Sequence, residues 1–514
     1  MALLLMAMPT SLFLMSISQW VLVGWFLFVA PKQNWWQLQF KQPYYLWIIA
    51  FFILHVLGLL HTADLALGLK DIKIKLPLLI IAVSMSAAPD LDVACQKKLL
   101  HFYLLGLAAG MLHALAVDFG LLYDDVIEKR SIFKLGISHI RFGLMLDLGI
   151  LWIGYILLKF THSLKSLFFY GIMLVWMVVF LCYAQLITGI IILVSIIALG
   201  ASYYVLRYSQ YWSKIIYLGL VLAVVCMTLL LGNKVYQTQI AFKPMVVDTS
   251  LRTLNGNSYS FDSSYNVFEN GYRCGDYIAE SEMNAAWQMR SSMNIYGKDK
   301  RGGILKFTLI RYLTSMGLYK DSAAVMQLQP YDIKLIEQGE ANAATVRMNP
   351  LLARIITSLW ELQTYNTSHY ASGHSVAMRM VFWKMGYEIF KSNLWIGVGT
   401  GDLKQAFDQK YSSEPTVLSE RFQLRAHQQY LSIAIAFGIV GLVFFIGMLL
   451  YMYTVQYKKG NTFFMLVSCI TILSMFTEDT LETQAGATFV AWVWCVLPRF
   501  LYPTGDKPVN QLKH

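Results

Sequence analysis

The run Arg425-Ala426-His427-Gln428-Gln429-Tyr430 leads directly into the apolar stretch Leu431–Leu450, so a histidine and an arginine stand at a membrane boundary. Substrates anchored in lipid react at such boundaries, and histidine is the side chain whose unperturbed pKa, near 6.5, lets it exchange protons at neutral pH. Arg141, in Ser138-His139-Ile140-Arg141-Phe142, heads another apolar run. An arginine inside a span costs about 2.5 to 3.5 kcal/mol on insertion scales, so it usually has an anionic partner. The other reading is an arginine that snorkels to the interface. Arg379 shares one helix face with Trp383, Tyr387 and Phe390, on a helix starting near His374 and ending before the turn at Gly397, Gly399 and Gly401. That turn either cradles an anion on its backbone N–H groups or simply ends a helix. The acidic turn Glu478, Asp479 and Glu482 has two uses, receiving an acceptor or holding an arginine, while Asp147, inside an apolar run, is expected to pair with a neighbouring helix.

The elements that position these residues are set by composition. The 514 residues are 57% hydrophobic and 14% charged, with a mean hydropathy of +0.51, which excludes an ordinary soluble enzyme. The net charge of +11 does not point to nucleic acid, because many basic residues lie in short loops between apolar runs. Five cysteines (Cys95, Cys182, Cys226, Cys469, Cys495) fall in apolar runs and Cys274 stands alone in the long polar segment, a pattern giving neither a metal site nor a disulfide framework.

Apolar stretches able to cross a hydrocarbon core occur near 44–61, 76–89, 99–119, 139–158, 166–183, 185–202 and 214–232, and after a long gap near 429–453, 461–477 and 486–501. Residues 3–30 add one span, or two if Pro9 breaks it; lacking a basic leader, they are expected to remain as a membrane anchor. The expected fold is an all-α integral membrane protein with about eleven or twelve transmembrane helices, and a large, mainly helical outer loop between about the eighth helix and the last three. No internal repeat is visible, which weighs against an inverted-repeat transporter.

Lys32 and Lys41, Lys97 and Lys98, Lys159 and Lys165, Arg207 and Lys214, Lys458 and Lys459, and Lys507 and Lys513 fall on one side if the spans alternate, and the positive-inside rule makes that side cytoplasmic. The acidic turn, the Asp124–Lys134 connection and the segment 233–428 then lie outside. Lys70, Lys73 and Lys75 vote the other way. Within the long segment, Leu305, Leu309, Tyr312, Leu313 and Met316 recur at helical spacing. Asn349-Pro350 starts another helix bearing Leu352, Ile355, Ile356 and Leu359. These amphipathic helices require a partner surface.

The stretch His374–Phe407, with Arg379, Trp383, Phe390 and Gly397-Val398-Gly399-Thr400-Gly401, resembles the C-terminal domain of O-antigen ligases. Arg425-Ala426-His427-Gln428-Gln429-Tyr430-Leu431, followed by Gly438-Ile439-Val440-Gly441-Leu442, is similar to the family's His-x-x-Tyr-Leu and Gly-x-x-Gly-Leu pattern, and its distance from Arg379 also fits. The resemblance covers most of the chain in architecture but only about 374–450 in motifs. It implies an N-terminal transmembrane bundle over 1–232, a periplasmic loop domain over 233–428, C-terminal transmembrane helices over 429–501 and a cytoplasmic tail over 502–514, in a bacterial inner membrane with the active site facing the periplasm.

What the resemblance implies chemically is transfer of a glycan from an undecaprenyl pyrophosphate carrier to an acceptor hydroxyl, with inversion, no metal and no cofactor. His427 is then the candidate base, and Arg379, Arg141 and Arg425 are candidate clamps for the leaving pyrophosphate, whose oxygens match guanidinium forks. The acceptor is lipid A core in ligases, a growing glycan in polymerases and a protein hydroxyl in related oligosaccharyltransferases. A lipid-linked glycan flippase is the reading from another class, and it would place its key charges near the bilayer midplane. Relatives carry an arginine just before a Thr-Gly or Ser-Gly step, whereas here Ile187 precedes Thr188 and Gly189. Either Arg141 alone supplies that charge, or Arg207 or another basic residue substitutes, or donor handling is altered in this chain. Glu269-Asn270-Gly271 and Arg311-Tyr312-Leu313-Thr314-Ser315 are similar to stretches of relatives with an enlarged loop, with no role implied.

Overall fold

The computed structural model describes residues 1–30, 43–123, 132–160, 163–237, 241, 247–265, 267–368 and 371–501. The expectations placed on Lys32, Lys41, most of the Asp124–Lys134 connection and the 502–514 tail with Lys507 and Lys513 lie outside these residues. The chain is an all-α integral membrane protein with almost no strand. Among the described residues seven helices are long and apolar enough to cross a membrane: Tyr44–His61, Val93–Asp118, His139–Phe160, Leu164–Tyr183, Ile187–Arg207, Tyr211–Val235 and Gln429–Lys458.

The difference from the expected number of spans has local causes. Around Pro9 the N-terminal run splits into Ala2–Ala7 and Leu12–Phe28, the second capped by Ser11. The segment expected at 76–89 begins earlier, as the helix Leu65–Ser86 capped by Asp64, and so carries charges in its first half. The last two apolar segments form helices of only 13 residues each, Thr462–Ser474 and Gln484–Val496.

Two compact units divide the chain. The first comprises Met1–Tyr204, Val381–Thr416 and Gln423–His514. Its centre is the helix Leu65–Ser86, which packs on Gln484–Val496, Tyr44–Leu57 and Leu12–Phe28. Buried Trp152 sits against Trp492 and Phe500, with ring centroids 5.3 and 5.5 Å away. Within this unit the Lys97 ammonium donates to the Phe160 carbonyl (3.1 Å) and Lys459 lies over the Tyr44 ring.

The second unit, Val205–Met380 with Val417–Phe422, has its own apolar core. The periodicity of Leu305, Leu309, Tyr312 and Leu313 becomes the buried face of the helix Leu305–Ser315, which meets Trp287, Ile333 and Ile336 from Glu280–Gln288 and Pro330–Glu337. Met316 instead caps that helix and is partly exposed. Asn349-Pro350 does open a helix, Pro350–Ser368, with Ile356 buried but Leu352 and Ile355 exposed.

The two stretches without a role turn out to be partners. Arg311 donates to Glu269 Oε1 at 2.7 Å, Asn270 Nδ2 donates to the Ser315 carbonyl at 2.7 Å, and Asn342 Nδ2 bridges Glu269 Oε2 (2.7 Å) and Asn270 Oδ1 (3.1 Å). Glu269 lies in a hairpin, paired across from Tyr272, so the clasp fixes hairpin to helix.

Candidate active site

His427 ends the polar run before the helix Gln429–Lys458 and adopts φ +48°, a left-handed conformation uncommon for a residue with a side chain. Its neighbours hold it there. The Gln428 side chain caps the helix by accepting from Leu431 N at 2.5 Å, and Trp383 Nε1 donates to the Ala426 carbonyl at 3.1 Å. The Phe382 ring centroid lies 5.8 Å from the imidazole.

On either side of His427 the chain is tied to one carboxylate. Glu482 accepts from Gln429 Nε2 at 3.2 Å and pairs with Arg425 Nη1 at 3.6 Å. It also receives Lys75 Nζ at 3.1 Å, and Lys75 in turn pairs with Asp71 one helical turn earlier at 2.5 Å. Lys75 is 1% exposed. Of the three lysines that vote against the positive-inside pattern, Lys75 is therefore no loop lysine but an ion-paired residue inside Leu65–Ser86. Burial alone would raise the Glu482 carboxyl, but Lys75 and Arg425 hold it well below the usual carboxylate range.

Arg141 occupies the first turn of His139–Phe160 and is held by the same acidic turn. Its Nη2 donates to the Asp479 carbonyl at 2.8 Å, while Nη1 lies 3.5 Å from Glu478 Oε2 and 3.4 Å from Ser138 Oγ. Of the two uses open to Glu478, Asp479 and Glu482, the structure favours holding arginines. Buried Asp479 accepts from Ser432 Oγ at 2.8 Å. Its carboxyl is pushed up by burial and by Glu482, and drawn back by the charges of Arg425 and His427. The sequence offered holding an arginine as one use of these acids, but which arginines they hold was not readable from it.

The first unit thus brings together Arg141, Arg425 and His427. Arg379, on Ser375–Ser392, falls in the second unit, whose boundary cuts that helix after Met380. There its charge acts on Glu361, whose carboxyl is raised by burial and drawn back by Arg354 and Arg379 while it accepts from Val376 N at 3.0 Å. Nearby, Arg311 lies over the Trp360 ring (5.0 Å), and His374 meets the same ring edge-on at 5.1 Å.

The glycine turn has no free donors for an anion. Val398 N and Gly399 N donate to the Ile435 and Ala436 carbonyls (both 2.9 Å), Gly397 N to Asn393 O (3.1 Å), and Gly401 N to Thr62 Oγ1 (3.3 Å). Opposite it, Gly438 breaks the long helix at φ +64°, and a Cβ there would lie 2.2 Å from the Trp395 carbonyl. The first glycine of the Gly-x-x-Gly-Leu pattern therefore records a backbone-to-backbone approach that only glycine permits. Asp147 is fully buried, and neither carboxyl oxygen has a hydrogen-bond partner among the described residues, so the expected pairing with a neighbouring helix is not seen. Ile187 opens its helix beside Arg141: a Cβ on Gly189 would lie 3.3 Å from Gly143 Cα, two residues after Arg141.

A comparison with curated proteins finds no match. The His427 turn, the helix Ser375–Ser392, the glycine turn and the Gly438 break all fall within residues 292–446, and that stretch matches the family model described as O-Antigen ligase.

Proposed function

We propose that this chain is a membrane glycosyltransferase that moves a glycan from undecaprenyl pyrophosphate to an acceptor hydroxyl, with O-antigen as donor glycan and lipid A core as acceptor. The observation that carries the reading is the meeting of His427 with Arg425 and Arg141 around the Glu478–Glu482 turn, next to a stretch matching the ligase family. In this reading His427 takes the acceptor hydroxyl proton as its oxygen attacks the anomeric carbon, and the bond from that carbon to the pyrophosphate oxygen breaks. A single displacement inverts the sugar. Arg141 and Arg425, with Arg379, stabilise the departing pyrophosphate as charge develops on it. No metal or cofactor enters the step. The active site faces the periplasm from the inner membrane, 233–428 forms the periplasmic domain between the membrane parts 1–232 and 429–501, and 502–514 is a cytoplasmic tail.

The grouping of these charges at a helix start and a turn, away from the middle of the spans, supports an enzyme over a flippase. The test is complementation of a deletion strain with wild type, His427→Ala or Arg379→Ala, with membrane levels checked. Full-length lipid-linked glycan should accumulate unattached in both variants. Accumulation of single repeat units instead would make the protein a polymerase, glycan missing from proteins alone would make it a protein O-oligosaccharyltransferase, and normal attachment would overturn the catalytic assignment.

A further inference from the structure

Glu482 and Lys75 contain no atom that the proposed reaction uses, yet Glu482 reaches both sides of His427. Glu482 contacts Arg425, two residues before the histidine, and Gln429, two residues after it. Gln429 is completely buried and fully engaged: its N–H donates to the Met475 carbonyl (2.9 Å), its Oε1 accepts from Leu481 N (2.7 Å) and its Nε2 goes to Glu482. The carboxylate thus spans a five-residue segment whose middle member is in the left-handed conformation. A residue held in that region persists when its surroundings over-determine it. Without a cation, a buried carboxylate at this place would be strongly unfavourable, and Lys75, itself buried, supplies one from a helix remote in sequence. Asp71, one turn earlier on the same helix, is the second carboxylate on that ammonium.

We propose that Glu482 and Lys75 form a positioning pair that fixes the left-handed turn of His427, and with it the direction in which the imidazole meets the acceptor hydroxyl. The proposal rests on the glycosyl-transfer reading for its kinetic consequence, but its geometric content stands apart from it. Displacing a base by a fraction of its reach leaves acceptor binding intact and costs rate, because the geometry of attack is lost.

The experiment uses the full chain in lipid nanodiscs, with undecaprenyl-pyrophosphate-linked glycan and an acceptor. Two readouts are followed: steady-state kinetics, and the rate at which diethyl pyrocarbonate modifies His427, measured by mass spectrometry at one fixed pH. For Glu482→Gln and Lys75→Met, kcat should fall roughly 10- to 100-fold with acceptor KM within about twofold, and the His427 modification rate should change by about threefold or more. Lys75→Arg, which keeps the cation, should restore most of the kcat. Should the neutral variants not fold, Glu482→Asp keeps the charge of the cluster but shortens the arm, and the same kcat loss is expected in a protein of normal thermal stability. An inactive His427→Ala beside Glu482 and Lys75 variants with wild-type kcat would overturn the positioning pair and leave the reaction standing. A fully active His427→Ala would overturn the reaction instead, and the modification rate alone would then decide the pair: unchanged labelling removes it, altered labelling supports it.

Discussion

Glu269 and Arg311 show how a single pair can hold a hairpin to a helix. Glu269 is almost fully buried and satisfied on both oxygens, by Arg311 and by Asn342, while the Arg311 side chain is 29% exposed. Removing the carboxylate leaves a half-buried guanidinium without its counter-ion and releases the amide of Asn342. Glu269→Ala should therefore destabilise the second unit by roughly 2–3 kcal/mol, less than for a fully buried pair because water reaches Arg311. Hydrogen exchange across Leu305–Ser315 in the full chain checks this, and unchanged protection would show the clasp to be decorative. Glu269 and Arg311 stood out in the sequence as separate stretches, but nothing in either named the other, because a hairpin and a helix meet only after the apolar core has formed.

Element by element, hydropathy and punctuation carried far. Tyr44–Leu57, Val93–Asp118, His139–Phe160 and Gln429–Lys458 all form where apolar runs place them, and the break after Ala7 falls at Pro9. Helix starts that depend on a capping side chain and a paired charge were less legible: Leu65–Ser86 begins well before its apolar half because Asp64 caps it and Lys75 has distant partners. The close approach of Gly189 to Gly143 adds a testable consequence for the departure at Ile187. If the family's arginine has moved to the adjacent helix, Arg141→Ala should reduce transfer by about 100-fold or more, a loss expected for a charge acting on a leaving group. Adding Ile187→Arg in the same chain should recover at least part of it. Transfer assays on the single and double variants decide this, and a double variant no better than Arg141→Ala alone would place the function of Arg141 elsewhere.

At the level of the whole molecule, acid acts on the second unit through His374. Burial, and then the charge of Arg311, lowers its pKa to about 4. The unfolded chain takes up this proton near pH 6.5 and the folded one only near 4, so between these values the unfolded state binds more protons and stability falls as pH drops. Above about pH 6.5 the effect is absent. Hydrogen exchange in Pro350–Ser368 should quicken between pH 7 and 5, and His374→Gln should flatten that dependence. A slope identical in wild type and variant would assign acid sensitivity to other groups.

The partnership of Lys75 with Glu482 also bears on how the protein is made. The two residues are 407 positions apart, so the helix Leu65–Ser86 is synthesised long before the carboxylate that completes its charge balance. Until then Asp71, on the same helix, is the partner at hand, sparing the lysine a solitary stay in lipid. The first bundle to leave the ribosome is consequently an unfinished one, completed only when the turn before Gln484–Val496 and that helix itself arrive. A nascent chain of this kind is committed to membrane before it is committed to structure, and the ion pair that would orient the histidine cannot form until all but the last of its long helices have been made.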